Sequence, residues 1–97
     1  MPGYLRVTPD QIPAGETALL LFVHNGQLCA GALQHRCDGR LERRVPEQPH
    51  PSDLILGICT LMADMPDDGN LLVVLEPFAY WPEPFPILKT LDNKASR

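Results

Sequence analysis

The fold of this chain can be predicted from residues 16–34, which read ETALLLFVHNGQLCAGALQ. Two apolar runs flank Asn25-Gly26, the dipeptide that best tolerates the positive φ angles of a type I′ hairpin turn. The first run, residues 18–23, is apolar at every position, so both of its faces are expected to be buried, as in a central strand. The stretch therefore predicts an antiparallel hairpin whose first strand lies in the interior of a sheet.

A second hairpin turn is predicted at Asp38-Gly39, where a two-residue loop would place His35 opposite Glu42. The strand beyond this turn, residues 40–45, alternates apolar and charged side chains, a pattern typical of an exposed edge strand. Together the two turns predict a three-stranded antiparallel meander.

A helix is predicted after the proline-rich connector at residues 46–51, with Ser52 as its N-cap. Its apolar residues recur at spacings of three and four, which is typical of a helix with one buried face. They are Leu54, Ile55, Ile58, Leu61, Met62 and Met65. Gly57 falls on the opposite face and indicates the close approach of a neighbouring backbone, while Pro66 ends the helix.

Residues 70–76 read as a further apolar strand, which we predict to lie parallel to the first strand and beside it. The fold class is therefore α+β, with one main helix and a mixed sheet of four or five strands. We expect a single domain over residues 1–97. It consists of an N-terminal arm (1–16) with a short edge strand, a β-β-β-α-β core (17–76), and an extended tail (77–97) in which prolines alternate with aromatic residues.

Composition narrows the classes of function. A net charge of −4 argues against binding to nucleic-acid backbones or anionic membranes. No signal-peptide pattern opens the chain, and its longest apolar run, about six residues, is far below the ~20 that span a bilayer. The cysteines Cys29, Cys37 and Cys59 lack metal-site spacing and are expected to be reduced thiols. We therefore expect a cytoplasmic protein without a cofactor.

Four segments carry a resemblance to a known family: residues 20–26 (LLFVHNG), 29–33 (CAGAL), the helix at 52–64, and 72–75 (LVVL). Their order, over roughly residues 17–81, resembles the first half of the ribonuclease H-like fold. In that family, acidic residues on the first strand, on the helix and at the end of the fourth strand hold a pair of Mg²⁺ ions.

The matching positions in this chain are His24, Asp53, and Glu76 or Pro77. His24 is not an oxygen ligand for Mg²⁺ and Pro77 is no ligand at all, so the carboxylates that two-metal hydrolysis requires are incomplete. The resemblance therefore implies a truncated form without catalytic residues. The enzyme alternative is a divergent Mg²⁺-dependent nuclease that uses Asp53 and Glu76.

Two further groups of residues could form a metal site or a thiol nucleophile, but we interpret both groups as having a structural role. His35 and Cys37 make half of a metal site, and Cys29 lies about 26 Å along an extended strand from Cys37 at ~3.3 Å per residue, too far to share one ion. Cys59 with a histidine and Asp53 could form a thiol nucleophile, but Cys59 adjoins the apolar stripe and is expected to pack there. We therefore name no catalytic and no metal-binding residues.

Two sets of residues are candidates for binding. The basic set is either a solvated edge or a small patch that docks anionic groups, and it consists of Arg36, Arg40, Arg43 and Arg44. The aromatic set either folds back to complete the core or binds a partner protein, and it consists of Phe78, Tyr80, Trp81 and Phe85.

One helix can cover only one face of a sheet whose central strands are apolar on both faces. We therefore expect the second face to be open and to be covered by the tail, by a second copy in a homodimer, or by a protein partner whose identity the sequence does not indicate. We interpret the chain as a small non-enzymatic protein-binding module, such as an inhibitor or adaptor from a bacterium or phage. A weak nucleic-acid binder acting through the arginine edge is a further alternative.

Overall fold

The hairpin predicted around Asn25-Gly26 is present in the computed structural model, which describes residues 3–63, 65, 69–82, 85 and 88–90. The loop residues have φ angles of 54° and 77°, as a type I′ turn requires, and His24 pairs with Gln27. The described elements, in chain order, are β1 (Gly3–Arg6), a 3-10 turn (Pro9–Gln11), β2 (Thr17–His24), β3 (Gln27–His35), β4 (Leu41–Arg44), α1 (Asp53–Met62), β5 (Asn70–Leu75) and β6 (Leu88–Thr90).

The α+β class with a mixed sheet and one helix is confirmed for the described residues, and the sheet has six strands in the order β4-β3-β2-β5-β1-β6. Strands β2 and β5 are parallel neighbours, as predicted, with Leu19 opposite Val73. The sheet is larger than the four or five strands expected because both ends of the chain join it. Strand β1, expected at an edge, lies between β5 and β6, and β6 comes from the segment that was expected to be an extended tail.

The second hairpin turn has a different register from the one predicted. His35 lies opposite Leu41, not Glu42, because the loop holds three residues rather than two. The amide of Gly39 donates to the carbonyl of Arg36 at 2.9 Å, and Gly39 itself has a φ of 93°. This is the type I turn followed by a left-handed glycine that three-residue hairpin loops use. A shift of one residue moves every side chain of β4 relative to its partners on β3.

Helix α1 packs on one face of the sheet in a slightly different orientation from the predicted one. Leu54 is buried, but Ile55 is 55% exposed and lies outside the packed face. Gly57 faces the sheet instead, where a Cβ atom at this position would lie 3.0 Å from Cδ1 of Leu19. The predicted close approach is therefore present, although the neighbour is a side chain. The Ser52 hydroxyl makes no capping bond to the helix; the imidazole of His50 lies 2.8 Å from it.

The second face of the sheet is not open, contrary to the expectation from sequence. Its side chains Leu20, Phe22 and Val74 are at most 7% exposed. Val7 and Ile12, from the connector between β1 and β2, pack in the same cluster and are themselves buried. The connector therefore covers this face of β2 and β5, through the contacts of Val7 and Ile12 with the apolar side chains of the two strands.

Within the part of the chain that the structure describes, no helix is long and apolar enough to cross a membrane.

Gly31 on β3 should be the glycine least tolerant of substitution. A Cβ atom at this position would lie 2.5 Å from the carbonyl oxygen of Arg44 and 2.7 Å from Cγ1 of Val45. We expect Gly31→Ala to lower the free energy of unfolding by roughly 2 kcal/mol, since backbone must move to relieve the overlap. Urea denaturation measures the change.

The matched control is Gly57→Ala, where the nearest atom is the end of a leucine side chain and alanine favours the helix. An effect of Gly31→Ala no larger than that of the control would contradict the close approach of β4 to β3.

Candidate functional site

Each arginine of the predicted docking patch has a carboxylate partner. The nitrogen–oxygen distances are 2.8 Å for Arg36–Glu42, 3.1 Å for Arg40–Asp38, 3.0 Å for Arg43–Glu76 and 3.3 Å for Arg44–Glu42. A hydrogen bond from Arg36 and then one from Arg44 lower the pKa of the Glu42 carboxyl. The positive charge of this edge is therefore largely balanced within the chain, and its role in docking anions stays a prediction.

The register of β4 separates Arg43 from the other arginines. Arg43 lies opposite Leu33 and thus on the second face of the sheet, where its guanidinium carbon is 5.3 Å from the centroid of the Phe22 ring. Two of its nitrogens donate to the two carboxylate oxygens of Glu76, at 3.1 and 3.0 Å. This forked pair joins the edge strand β4 to the end of β5 across the intervening strands and covers Phe22.

The four candidate aromatic residues fall into two groups. Trp81 packs between Tyr4, whose ring is tilted against it, and Phe85, which it meets edge to face, with ring centroids 5.1 and 5.2 Å apart. The three rings lie in the apolar cluster on the helix side of the sheet. Phe78 and Tyr80 are 92% and 57% exposed. Trp81 and Phe85 therefore help to complete the core, which was one of the two predicted roles of the aromatic set. Phe78 and Tyr80 stay exposed and are available to a partner.

Phe78 occupies a backbone conformation that bulky residues rarely adopt. The amide of Ala79 donates to the carbonyl of Glu76 at 2.9 Å, which closes a turn with Pro77 at its second position and Phe78 at its third. The φ angle of Phe78 is 72°, the left-handed region that glycine or asparagine occupies in a type II turn. Strain of this kind costs about 1–3 kcal/mol. Because the ring is almost fully exposed, packing does not account for the choice of phenylalanine.

The sequence prediction missed a second exposed apolar surface, on the outer face of α1. Leu56 is 64% exposed and Ile55 55% exposed. The exposed residues of this helix and its C-cap carry no charge; they are Ile55, Leu56, Cys59, Thr60 and Ala63. The signal in the sequence was the absence of any charged residue between Asp53 and Met62, since the outer face of a surface helix is normally charged or polar.

A groove of about 390 Å³ runs beside this helix, between α1 and the strands β3 and β4. Most of its lining is aliphatic or small. The lining residues are Ala30, Gly31, Ala32, Arg44, Val45, Pro46, Asp53, Leu56, Gly57, Thr60 and Leu61. The outer face of α1 and the groove thus form one continuous surface, which we call the helix–groove surface.

The positions that the ribonuclease H-like resemblance assigns to metal binding do not form a ligand set in the described residues. Glu76 is held by Arg43, and the carboxylate of Asp53 accepts a hydrogen bond from the amide of His50 at 3.0 Å. Among the described side chains, no group of three or more His, Cys, Asp or Glu residues could hold a metal ion.

Cys29 and His35 also have contacts that indicate a structural role. Cys29 is buried, and burial together with the charge of Asp53 raises the pKa of its thiol, which makes it a poor nucleophile. Nδ1 of His35 lies 2.6 Å from the carbonyl oxygen of Ile12. Because that oxygen can only accept, the imidazole donates to it and ties β3 to the connector that covers the second face of the sheet.

Comparisons with family models, with curated proteins and with solved structures find no match to this chain. The resemblance to the ribonuclease H-like fold therefore stays a prediction.

The Arg43–Glu76 pair should contribute more to stability than the other arginine pairs. We expect Arg43→Gln to lower the free energy of unfolding by about 1 kcal/mol, because it removes a forked ion pair and uncovers Phe22. Arg40→Gln is the control, since Arg40 is 78% exposed and pairs only within its own turn. Equal effects of the two changes in thermal denaturation would contradict a special role for Arg43.

Replacing the strained aromatic residue should stabilise the fold. We expect Phe78→Asn to raise the free energy of unfolding by about 1 kcal/mol, because asparagine tolerates a positive φ and little packing is lost. Tyr80→Asn serves as the control, because positive φ angles outside glycine are confined to Asn25 and Phe78 among the described residues. A destabilised Phe78→Asn variant would show that the phenylalanine serves the fold after all.

Proposed function

We propose that this chain is a small non-enzymatic protein-binding module that acts as an inhibitor or adaptor through Phe78. The proposal is carried by one observation: Phe78 is 92% exposed and is held at a φ of 72°. A residue that costs stability and contributes little to the core is best accounted for by a role outside the fold, and such strain concentrates at functional sites.

The residue that precedes the turn at Phe78 is held by contacts with two other strands. The amide of Glu76 donates to the carbonyl of Leu21 at 3.0 Å, and the carboxylate of Glu76 accepts two hydrogen bonds from the guanidinium of Arg43. The ring of Pro77 fixes its own φ angle at the value that the second position of the turn requires, and the turn leaves the side chain of Phe78 exposed beyond the end of β5. Preorganisation of this kind lowers the conformational cost of binding.

The chemistry of the exposed residues describes the partner. Aromatic side chains are the commonest anchors of protein interfaces, and Tyr80, 57% exposed, lies two residues further along the chain. Such anchors require a deep apolar pocket in the partner that can enclose a ring. The net charge of −4 would speed encounter with a partner whose pocket has a basic rim.

The experiment introduces a photoreactive phenylalanine analogue at position 78 in cells that encode this chain, and the crosslinked protein is identified and purified. Its affinity for the unmodified chain is then compared with its affinity for Phe78→Asn. Loss of a central aromatic anchor should weaken binding about 30-fold, the equivalent of about 2 kcal/mol.

The control position is Leu41, which is 46% exposed on the edge strand and far from the turn in the sequence. The analogue at position 41 should give no crosslink, and Leu41→Asn should bind as the unmodified chain does. Equal crosslinking at the two positions, or an affinity that Phe78→Asn leaves unchanged, would overturn the proposal.

A further inference from the structure

The helix–groove surface is self-complementary in shape. Leu56 projects from α1, and beside it lies the groove, whose floor is lined by small residues such as Ala30, Ala32 and Gly57. A projecting side chain adjacent to a hollow allows two copies related by a twofold axis to fill each other's hollows. Contiguous exposed apolar surface of this kind marks interaction sites on monomeric proteins.

The charges of the groove support the same arrangement. Arg44 and Asp53 both line it and have opposite sign. In a twofold contact, residue i of one copy meets residue j of the other and the reverse pair forms as well, so Arg44 and Asp53 would pair twice.

Arg44 is available for such a pairing. Its nitrogens approach Glu42 only at 3.3 and 3.4 Å, whereas Arg36 binds the same carboxylate at 2.8 Å. The side chain of Arg44 is also 60% exposed. It can therefore turn toward a second carboxylate while Arg36 keeps Glu42 paired.

We propose that the helix–groove surface binds a second copy of this chain in a twofold contact. Leu56 of each copy lies in the groove of the other, and Arg44 of each copy pairs with Asp53 of the other. This surface is separate from the turn at Phe78, so the dimer and the binding of another protein can each fail without the other.

The first test is the mass in solution, measured by light scattering after gel filtration over a range of protein concentrations up to several hundred micromolar. We expect the unmodified chain to have twice the mass of the 10.8 kDa monomer. Leu56→Asp should return the mass to that of the monomer, because it places a charge in the apolar contact. Leu41→Asp changes an exposed leucine outside the groove and should leave the dimer intact.

The second test exploits the twofold symmetry. Arg44→Glu and Asp53→Lys should each raise the dissociation constant of the dimer at least tenfold, since each variant alone brings like charges together twice. An equimolar mixture of the two variants should dimerise again, because every contact in the mixed dimer then joins opposite charges. Circular dichroism of each variant checks that it is folded.

Three results would overturn the proposal. A monomer at all concentrations would exclude the contact, and a dimer that survives Leu56→Asp would lie on another surface. Variants whose mixture stays monomeric, although each is folded, would exclude the Arg44–Asp53 pairing and with it the proposed twofold arrangement. Where the unmodified chain dimerises, the Phe78→Asn variant should dimerise to the same extent.

Discussion

The fold depends on the burial of β2 on both of its faces. From Ala18 to Phe22, every residue of this strand is at most 7% exposed. A strand of this kind needs a neighbour on each edge and a cover on each face. Apolar surface is costly in contact with water, and a backbone N–H or C=O group is costly when it is buried without a hydrogen-bond partner. Strands β3 and β5 pair with its edges, α1 covers one face, and the connector carrying Val7 and Ile12 covers the other.

Because the chain covers both faces of its own sheet, the apolar residues left at the surface have no role in closing the core. Among the described residues, the four most exposed large apolar side chains lie in two separate places: Phe78 and Tyr80 at and beside the turn after β5, and Ile55 and Leu56 on the outer face of α1. Each combines exposure with a second feature: a strained backbone in one, and a groove lined by charges of opposite sign in the other. Backbone strain and apolar exposure that do not stabilise the fold mark sites of binding in a small domain.

The candidate sites show where sequence reasoning succeeds and where it fails. The aromatic residues at 78–85 stood out in the sequence, but pattern alone did not separate Trp81, which packs against Tyr4, from the exposed Phe78. The arginines were found as a cluster, yet a third loop residue in the second hairpin turned Arg43 to the opposite face, over Phe22. The absence of charged residues in the helix was visible in the sequence, but its apolar residues were interpreted as one face packed on the sheet. A buried face and a face that docks a partner have the same apolar composition.

The sequence by itself determined the local elements: the turn at Asn25-Gly26, the doubly apolar strands, the helix after the prolines, and the parallel pairing of β2 with β5. These follow from short-range chemistry, namely backbone preference, side-chain periodicity and the length of a crossover. Only the tertiary structure decided which strands the chain ends would join, which face each arginine would take, and which apolar residues would stay exposed. Those outcomes depend on contacts between residues such as Arg43 and Glu76, which are distant in sequence and brought together by the curvature and register of the sheet.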